Sequence, residues 1–336
     1  MKKLTALLIV LSLVLLATGG CGTGKAGKKE TETAKQSPKN VTVRIAALKG
    51  PTAVGMVKLF EDKPALGQNI AASYQVVESP DLLMARLASG EVDLATLPTN
   101  LAAILYNKGM PYQLTAISSW GVNYVVSNGV VVNSLADLKG KKVYVFGKGT
   151  TPDVVLRYVL SRNGIDAAKD VELDYTLGQV ELAQSLIAGR VSLAVLPEPW
   201  VTQALKGNPK VKVVVDLQEE WQKVQGDRIP LPQTCLVVKK DLAQKQPEAV
   251  GAFLEAYAAS LDWVNRTPAA AGALVEKHGI GMKAAVAEVA IPRCNFRYED
   301  AAGSREAVNS YLQVLFNFSP QTVGGKLPDN AFYYQK

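Results

Sequence analysis

Shifting the sequence against itself by 99 positions brings two segments into register without a gap. Lys49-Gly50 falls on Lys148-Gly149, and Thr52 falls on Thr151. Leu83 and Leu87 fall on Leu182 and Leu186. Gly90-x-Val92-x-Leu94-Ala95-x-Leu97-Pro98 falls on Gly189-x-Val191-x-Leu193-Ala194-x-Leu196-Pro197. One spacing holds for about fifty residues, which chance does not supply and internal duplication does.

The repeated unit can be read element by element. Residues 41–47 carry β-branched side chains in alternation, as a half-buried strand requires, and stop at Lys49-Gly50-Pro51-Thr52. Apolar residues over 53–60 recur at helical spacing, and 80–89 predicts a helix with Leu83 and Leu87 inward. Residues 90–98 read as turn, strand and stop. Strands alternating with helices imply an α/β fold with mainly parallel sheets and right-handed crossovers, here as two similar lobes. The strand over 142–146 opens the second copy. Segments 112–118 and 122–127 read as strands leaving the first lobe, while 211–215 and 234–239 bring the chain back. Helices over 248–264, 268–277 and 303–316 exceed what the second lobe needs and are assigned to packing on the first. Residues 41–128 with 233–336 thus form lobe 1, and 129–232 form lobe 2. Hinges are expected over 127–132 and 217–233.

Composition narrows the function classes. The chain has 336 residues, 48% apolar and 20% charged, which suits two globular units and excludes wholesale disorder. One histidine, His278, makes a multi-histidine metal centre impossible, and three cysteines make a disulfide-built miniprotein equally so. The formal charge of +7 is concentrated at the N-terminus. Lys2 and Lys3 carry two of those charges, and Lys25, Lys28, Lys29, Lys35 and Lys39 exceed Glu30 and Glu32 by three. The remaining 41–336 is nearly balanced at +2, so nucleic acid is not an expected partner.

Residues 1–20 read as a signal peptide: two lysines, an apolar run over 4–17, then Thr18-Gly19-Gly20. Cys21 follows, the expected lipidation site, although Thr18 departs from the leucine usual at that place in a lipobox. Residues 21–40 are polar and rich in Gly and Lys, the composition of a flexible tether. Two acyl chains on Cys21 would hold the globule stably at the outer face of the cytoplasmic membrane.

In open α/β sheets the usable crevice lies beyond the carboxyl ends of the strands. Two loops of one lobe lie there, 49–52 and 97–100, with counterparts at 147–152 and 196–200 in the other. The candidate ligand residues are Gly50, Pro51, Thr52, Thr99 and Asn100, with Gly149, Thr150 and Thr151 opposite. Each Lys-Gly-x-Thr segment precedes a helix, whose free N–H groups and positive end favour an anion. The same residues also suit plain turns and helix caps; duplication is what favours a shared site. Trp120 and Trp200, with Tyr124 behind them, could stack on a planar solute or simply pack the lobes. Glu198 could accept a hydrogen bond from an amine or hold the lobes together. Gly147-x-Gly149 lacks the third glycine of a dinucleotide fingerprint, and no P-loop is present.

Signal, lipidation site, tether, duplicated lobes and Leu196-Pro197-Glu198-Pro199-Trp200, with the return strand at Pro232 to Cys235, together resemble a known family. These are the solute-binding proteins of nitrate/sulfonate/taurine-type ABC importers, a group that also includes binders of thiamine-pyrimidine precursors and riboflavin. The resemblance implies a periplasmic-binding-protein-like fold and capture of a small organic anion or aromatic or heterocyclic solute between hinged lobes. It further implies a monomer that delivers this solute to membrane permease subunits, with no cofactor, no metal and no catalytic residue. Enzymes of the same fold, of the menaquinone-pathway or pyrimidine-synthase kind, are the alternative, as is a surface adhesin. Against catalysis, His278 reads as a cation at a helix C-terminus. Cys235 and Cys294 are both exported in this reading, so a disulfide between them is permissible, as are two buried thiols.

Overall fold

A computed structural model describes residues 41–226 and 230–336. The signal peptide, Cys21 and the tether lie outside them. The first run comprises β1 (Val41–Leu48), α1 (Pro51–Val54), α2 (Val57–Asp62), β2 (Ile70–Val77), α3 (Pro80–Ala88), β3 (Leu94–Pro98), α4 (Thr99–Asn107) and β4 (Tyr112–Trp120). The second comprises β5 (Asn123–Asn128), β6 (Lys142–Val145), α5 (Thr151–Arg162), β7 (Glu172–Asp174), α6 (Gln179–Ile187), β8 (Leu193–Pro197), α7 (Trp200–Gly207), β9 (Val211–Asp216) and α8 (Leu217–Gln225). The chain closes with β10 (Pro232–Lys239), α9 (Lys240–Lys245), α10 (Pro247–Arg266), α11 (Pro268–Lys277), α12 (Ala284–Ala290), β11 (Phe296–Asp300) and α13 (Arg305–Phe318).

The duplication is visible to the residue. Helices α3 and α6, and strands β3 and β8, keep the spacing of 99 at both ends. Local chemistry explains why both helices form. Ser79 accepts a hydrogen bond from Leu82 N at 3.3 Å, Pro80 stands in the first turn with Asp81, and Arg86 in the last complements the helix dipole. In α6 the matching Leu182 and Leu186 are buried, as Leu83 and Leu87 are in α3. Strands β3 (LATLP) and β8 (LAVLP) are buried at every position, which is why they read as near-continuous apolar runs.

Two mixed sheets result. The six-stranded sheet has the order β11-β4-β10-β3-β1-β2, and the five-stranded sheet β7-β6-β8-β5-β9. β1 lies parallel to β2 and β3, and β6 lies parallel to β7 and β8. Each sheet takes one antiparallel strand from the far side of a crossover. β5 pairs with β8, from Asn123 opposite Pro197 to Ser127 opposite Leu193, and β10 pairs with β3. The sequence pattern assigns the 122–127 strand to the first lobe and predicts a hinge at 127–132. Instead the chain crosses at Gly121-Val122, because β5 finds its hydrogen-bond partners only on β8 and β9. The two crossovers touch, with Gly121 N donating to Leu231 O at 3.0 Å.

The C-terminal helices also depart from expectation. β11 extends the first sheet, and α10 and α11 pack on α2, but α12 packs against α7 and α13 against both α4 and α5. They are braces across the two sheets as well as cover for the first. Cys235 and Cys294 are free thiols, both buried, so the permissible disulfide is absent. They belong to different apolar clusters, and the Cys294 Sγ contacts Ala290 O at 3.4 Å within its own turn. No helix of the described residues is long and apolar enough to cross a membrane.

Candidate functional site

The carboxyl ends of β1 and β3 face those of β6 and β8, and the four loops singled out by the repeat meet there. Asn100 Nδ2 donates to Gly149 O at 2.7 Å, while Asn100 Oδ1 accepts from Thr151 Oγ1 at 3.2 Å. Gln179 Nε2 donates to Lys49 O from the other sheet. Trp200, the first residue of α7, is wholly buried and donates from Nε1 to Gln179 Oε1 at 3.0 Å.

Gly50 explains itself here. Its φ of 115° is barred to L-residues, and an added Cβ would stand 3.1 Å from Gln179 Oε1 and 3.3 Å from Trp200 Nε1. The indole also reaches Gly281, where a Cβ would come within 3.0 Å of Trp200 Cη2. Trp200 is therefore a wedge from the second sheet lodged between two glycines of the first half and C-terminal region. This is the packing role left open for it by sequence.

Other expected residues divide. The Thr52 hydroxyl donates back to Leu48 O and the Thr150 hydroxyl to Gly147 O at 2.6 Å, so both are tied to their own turns. Pro51 is buried at the start of α1. Thr99 is buried beside the Cys235 thiol, whose pKa burial pushes far up. Trp120 donates from Nε1 to Arg297 O at 3.2 Å with the Arg297 guanidinium 4.3 Å over its ring, which commits it to the edge of the first sheet. Lys49 is held by Glu78 at 2.9 Å, and Lys148 lies over the Tyr175 ring.

Glu198 is fully buried. Its Oε2 accepts from Thr202 N at 3.0 Å, and Arg293 Nε stands 2.7 Å from Oε1 as an ionic contact off the hydrogen-bond line. Burial raises the Glu198 pKa, and Arg293 works against that rise. Arg293 also lies over the Tyr124 ring, whose hydroxyl burial makes less acidic. Because Glu198 comes from β8–α7 and Arg293 from beyond α12, the pair ties the second sheet to the C-terminal brace.

Several residues at this junction carried no sequence signal strong enough to name them. Asn123 Nδ2 donates to Gln233 Oε1 at 2.6 Å beside the crossovers, and Tyr311 donates to Thr151 Oγ1 at 3.4 Å from α13. Asp153, wholly buried in the first turn of α5, accepts from Gly149 N at 2.7 Å, Tyr175 OH at 2.8 Å and Arg157 Nε at 3.1 Å. Gln179 alone could have been found, since the spacing of 99 places it opposite Pro80 at the first position of a matched helix. The oxygens of Ser119 and Asn123 Oδ1 are buried without a partner. Further unpartnered atoms are buried elsewhere among the described residues, as at Tyr74, Asn107 and Gln203. An open cavity of about 470 Å³ between α10, β11 and the last residues gathers no such group.

The NMT1-like family model matches residues 57–277, about two thirds of the chain, which takes in the second copy of the repeat and the first from α2 onward. The chain belongs to the NMT1-like family. Among solved structures, an ABC transporter protein from Parabacteroides distasonis is 32% identical to this NMT1-like chain, covering 89% of it and 100% of that protein, with a TM-score of 0.73. The periplasmic aliphatic sulphonate binding protein SsuA from Escherichia coli is 18% identical, covering 89% and 93%, with a TM-score of 0.70. The periplasmic nitrate-binding protein NrtA from Synechocystis PCC 6803 is 14% identical, covering 86% and 85%, with a TM-score of 0.64. The NMT1-like chain thus has the periplasmic-binding-protein-like α/β fold. No curated protein matches its sequence. Its one histidine, His278, caps α11 and pairs with Glu61 at 3.0 Å, outside the junction, and no cluster of metal-ligating side chains occurs among the described residues.

Proposed function

We propose that this NMT1-like protein is the exported solute-binding component of an ABC importer. It captures one small organic solute between its two sheets and presents the loaded form to membrane permease subunits. The observation that carries this reading is the meeting of the duplicated loops, one pair from each sheet, through Asn100 on Gly149 O, Gln179 on Lys49 O and Trp200 on Gln179. A solute touching both sheets favours the closed arrangement, because only a difference in affinity between two states can shift their balance. The crossovers at Gly121 and near Leu231 are where such a closure turns.

The signal peptide and an acylated Cys21 would deliver and hold the protein at the outer membrane face, with residues 22–40 as its tether. The protein acts as a monomer and without catalysis. The resemblance to transporter binding proteins supports this. The placing of His278 against Glu61 and Phe60, away from the junction, favours the absence of catalysis.

Thermal unfolding of the purified protein against nitrate, alkanesulfonates, pyrimidines and flavins tests the reading. At least one should raise the midpoint, and Thr151→Ala and Trp200→Phe should weaken that response. A panel without any rise would remove the case for solute capture.

A further inference from the structure

Helix α13 is anchored at both ends on the first sheet. Before it, β11 pairs with β4. After it, the turn Pro320–Val323 is tied to α4, where Asn107 Nδ2 donates to Val323 O at 2.7 Å and Asn100 Nδ2 to Thr322 O at 3.3 Å. Farther on, Tyr334 N donates to Leu114 O of β4 at 2.9 Å. Between these anchors the helix turns one face to the other sheet. Tyr311 and Phe318, seven residues apart and so on one side of α13, meet α5 and α8, which pack on β8, β5 and β9 of the second sheet.

Phe318 stands edge-on to Tyr158 of α5, with ring centroids 5.5 Å apart, and the Arg157 guanidinium lies 5.9 Å over its ring. Tyr311 lies 5.7 Å from Trp221 of α8, and its hydroxyl donates to Thr151 Oγ1 at 3.4 Å. Thr151 Oγ1 donates in turn to Asn100 Oδ1 at 3.2 Å. Tyr311, Trp221, Thr151 and Asn100 are all fully buried. Tyr158, Trp221 and Tyr311 belong to one apolar cluster that runs through both sheets. The sheets are joined by the crossovers at Gly121 and near Leu231, so a turn about them carries α5 and α8 past a helix fixed to the first sheet. Such a turn separates the ring pairs and draws Thr151 away from Tyr311 and Asn100. These contacts therefore favour the arrangement in which they are made.

We infer that α13 is a clasp: Tyr311 and Phe318 hold the second sheet against the first and set how much of the protein stands closed before a solute binds. They are positioning residues, acting through Thr151 and α5 and not by touching the solute. The inference rests on the solute-capture reading above and deepens it, because apparent affinity scales with the fraction of protein in the binding-competent arrangement.

The test reads the separation of the two halves with no solute added. Spin labels are placed at Leu82→Cys and Glu181→Cys, exposed and equivalent positions in the first turns of α3 and α6. Cys235 and Cys294 are buried and escape the label. By double electron–electron resonance, the ratio of separated to closed protein should rise about tenfold in Phe318→Ala, which loses both the ring pair and the guanidinium contact. It should rise about threefold in Tyr311→Phe, which loses only the hydroxyl. This second variant keeps the packing and carries the test if the first fails to fold. Phe332→Leu, whose ring packs on Tyr106 of α4, is the control: it should lower the unfolding midpoint and leave the distances unmoved. Folded clasp variants with the distances of the labelled parent overturn the inference, as does a control that separates the halves equally. Failure of solute capture itself is read separately, from a flat thermal response to nitrate, alkanesulfonates, pyrimidines and flavins.

Discussion

The two copies of the repeat share a backbone but not a chemistry. Where the second copy has Asp153 the first has Val54, and where the second has Glu198 the first has Thr99. Trp200 of the second corresponds to Leu101 of the first, and Gln179 to Pro80. The helices after the first loops differ accordingly. α1 runs only Pro51–Val54 with no acidic residue in its first turn, while α5 runs Thr151–Arg162 with Asp153 buried in its own. One half therefore supplies a smooth receiving surface of glycine, threonine and aliphatic side chains. The other supplies the wedge and both buried negative charges. A duplicated scaffold keeps its strand tips because the sheets need them, and it is free to change what those tips carry.

Replacing the wedge tests that asymmetry most severely. Trp200→Ala should cost about 4 kcal/mol of unfolding free energy, because a wholly buried indole leaves a cavity that its neighbours cannot fill. Leu101→Ala at the equivalent place, 8% exposed, should cost about 2 kcal/mol. Equal losses in chemical denaturation would show that the two copies pack alike here. The paired glycines give a second, smaller contrast. Gly50→Ala combines a φ of 115° with close contacts to Gln179 and Trp200, and should cost about 3 kcal/mol. Gly149→Ala has a φ of 79° and open space around the new methyl, so about 1 kcal/mol is expected. The reverse order would mean that the first loop is not the one fitted to the indole.

Local regularity was legible in the sequence and long-range pairing was not. A spacing of 99 located α3, α6, β3 and β8 because the same inward leucines and the same glycine stop recur in each. The four loops followed, since loop positions are set by the elements that flank them. The strand read over 122–127 belongs to the second sheet and not the first, because a strand's own pattern does not say which neighbour offers hydrogen bonds. Asn123, Gln233, Arg293 and Tyr311 meet their partners across 95 to 160 residues of chain, where no periodicity reaches. Thr52 and Thr150 show the converse. A hydroxyl before a helix suggests a ligand donor, yet a carbonyl one turn back is nearer than any solute.

The smallest contrast concerns titration. Thr99 carries no ionisable group, whereas Glu198 in the matching place is buried and its pKa is raised above the ordinary 4.5, with burial as the main cause. A carboxyl group whose pKa is raised by folding favours the native state while it is protonated. That contribution is complete below the unfolded pKa and disappears as pH rises through the folded one. The stability of the natural protein relative to Glu198→Gln should therefore be greatest at pH 4 and decline toward neutrality. Above that window Arg293 offsets part of the loss by pairing with the carboxylate at 2.7 Å. Denaturation of both proteins from pH 4 to 8 measures the difference directly, and other titrating groups cancel between them. A difference that grows with pH would mean that the ion pair with Arg293 outweighs burial, and that the second copy's charge stabilises the junction instead of straining it.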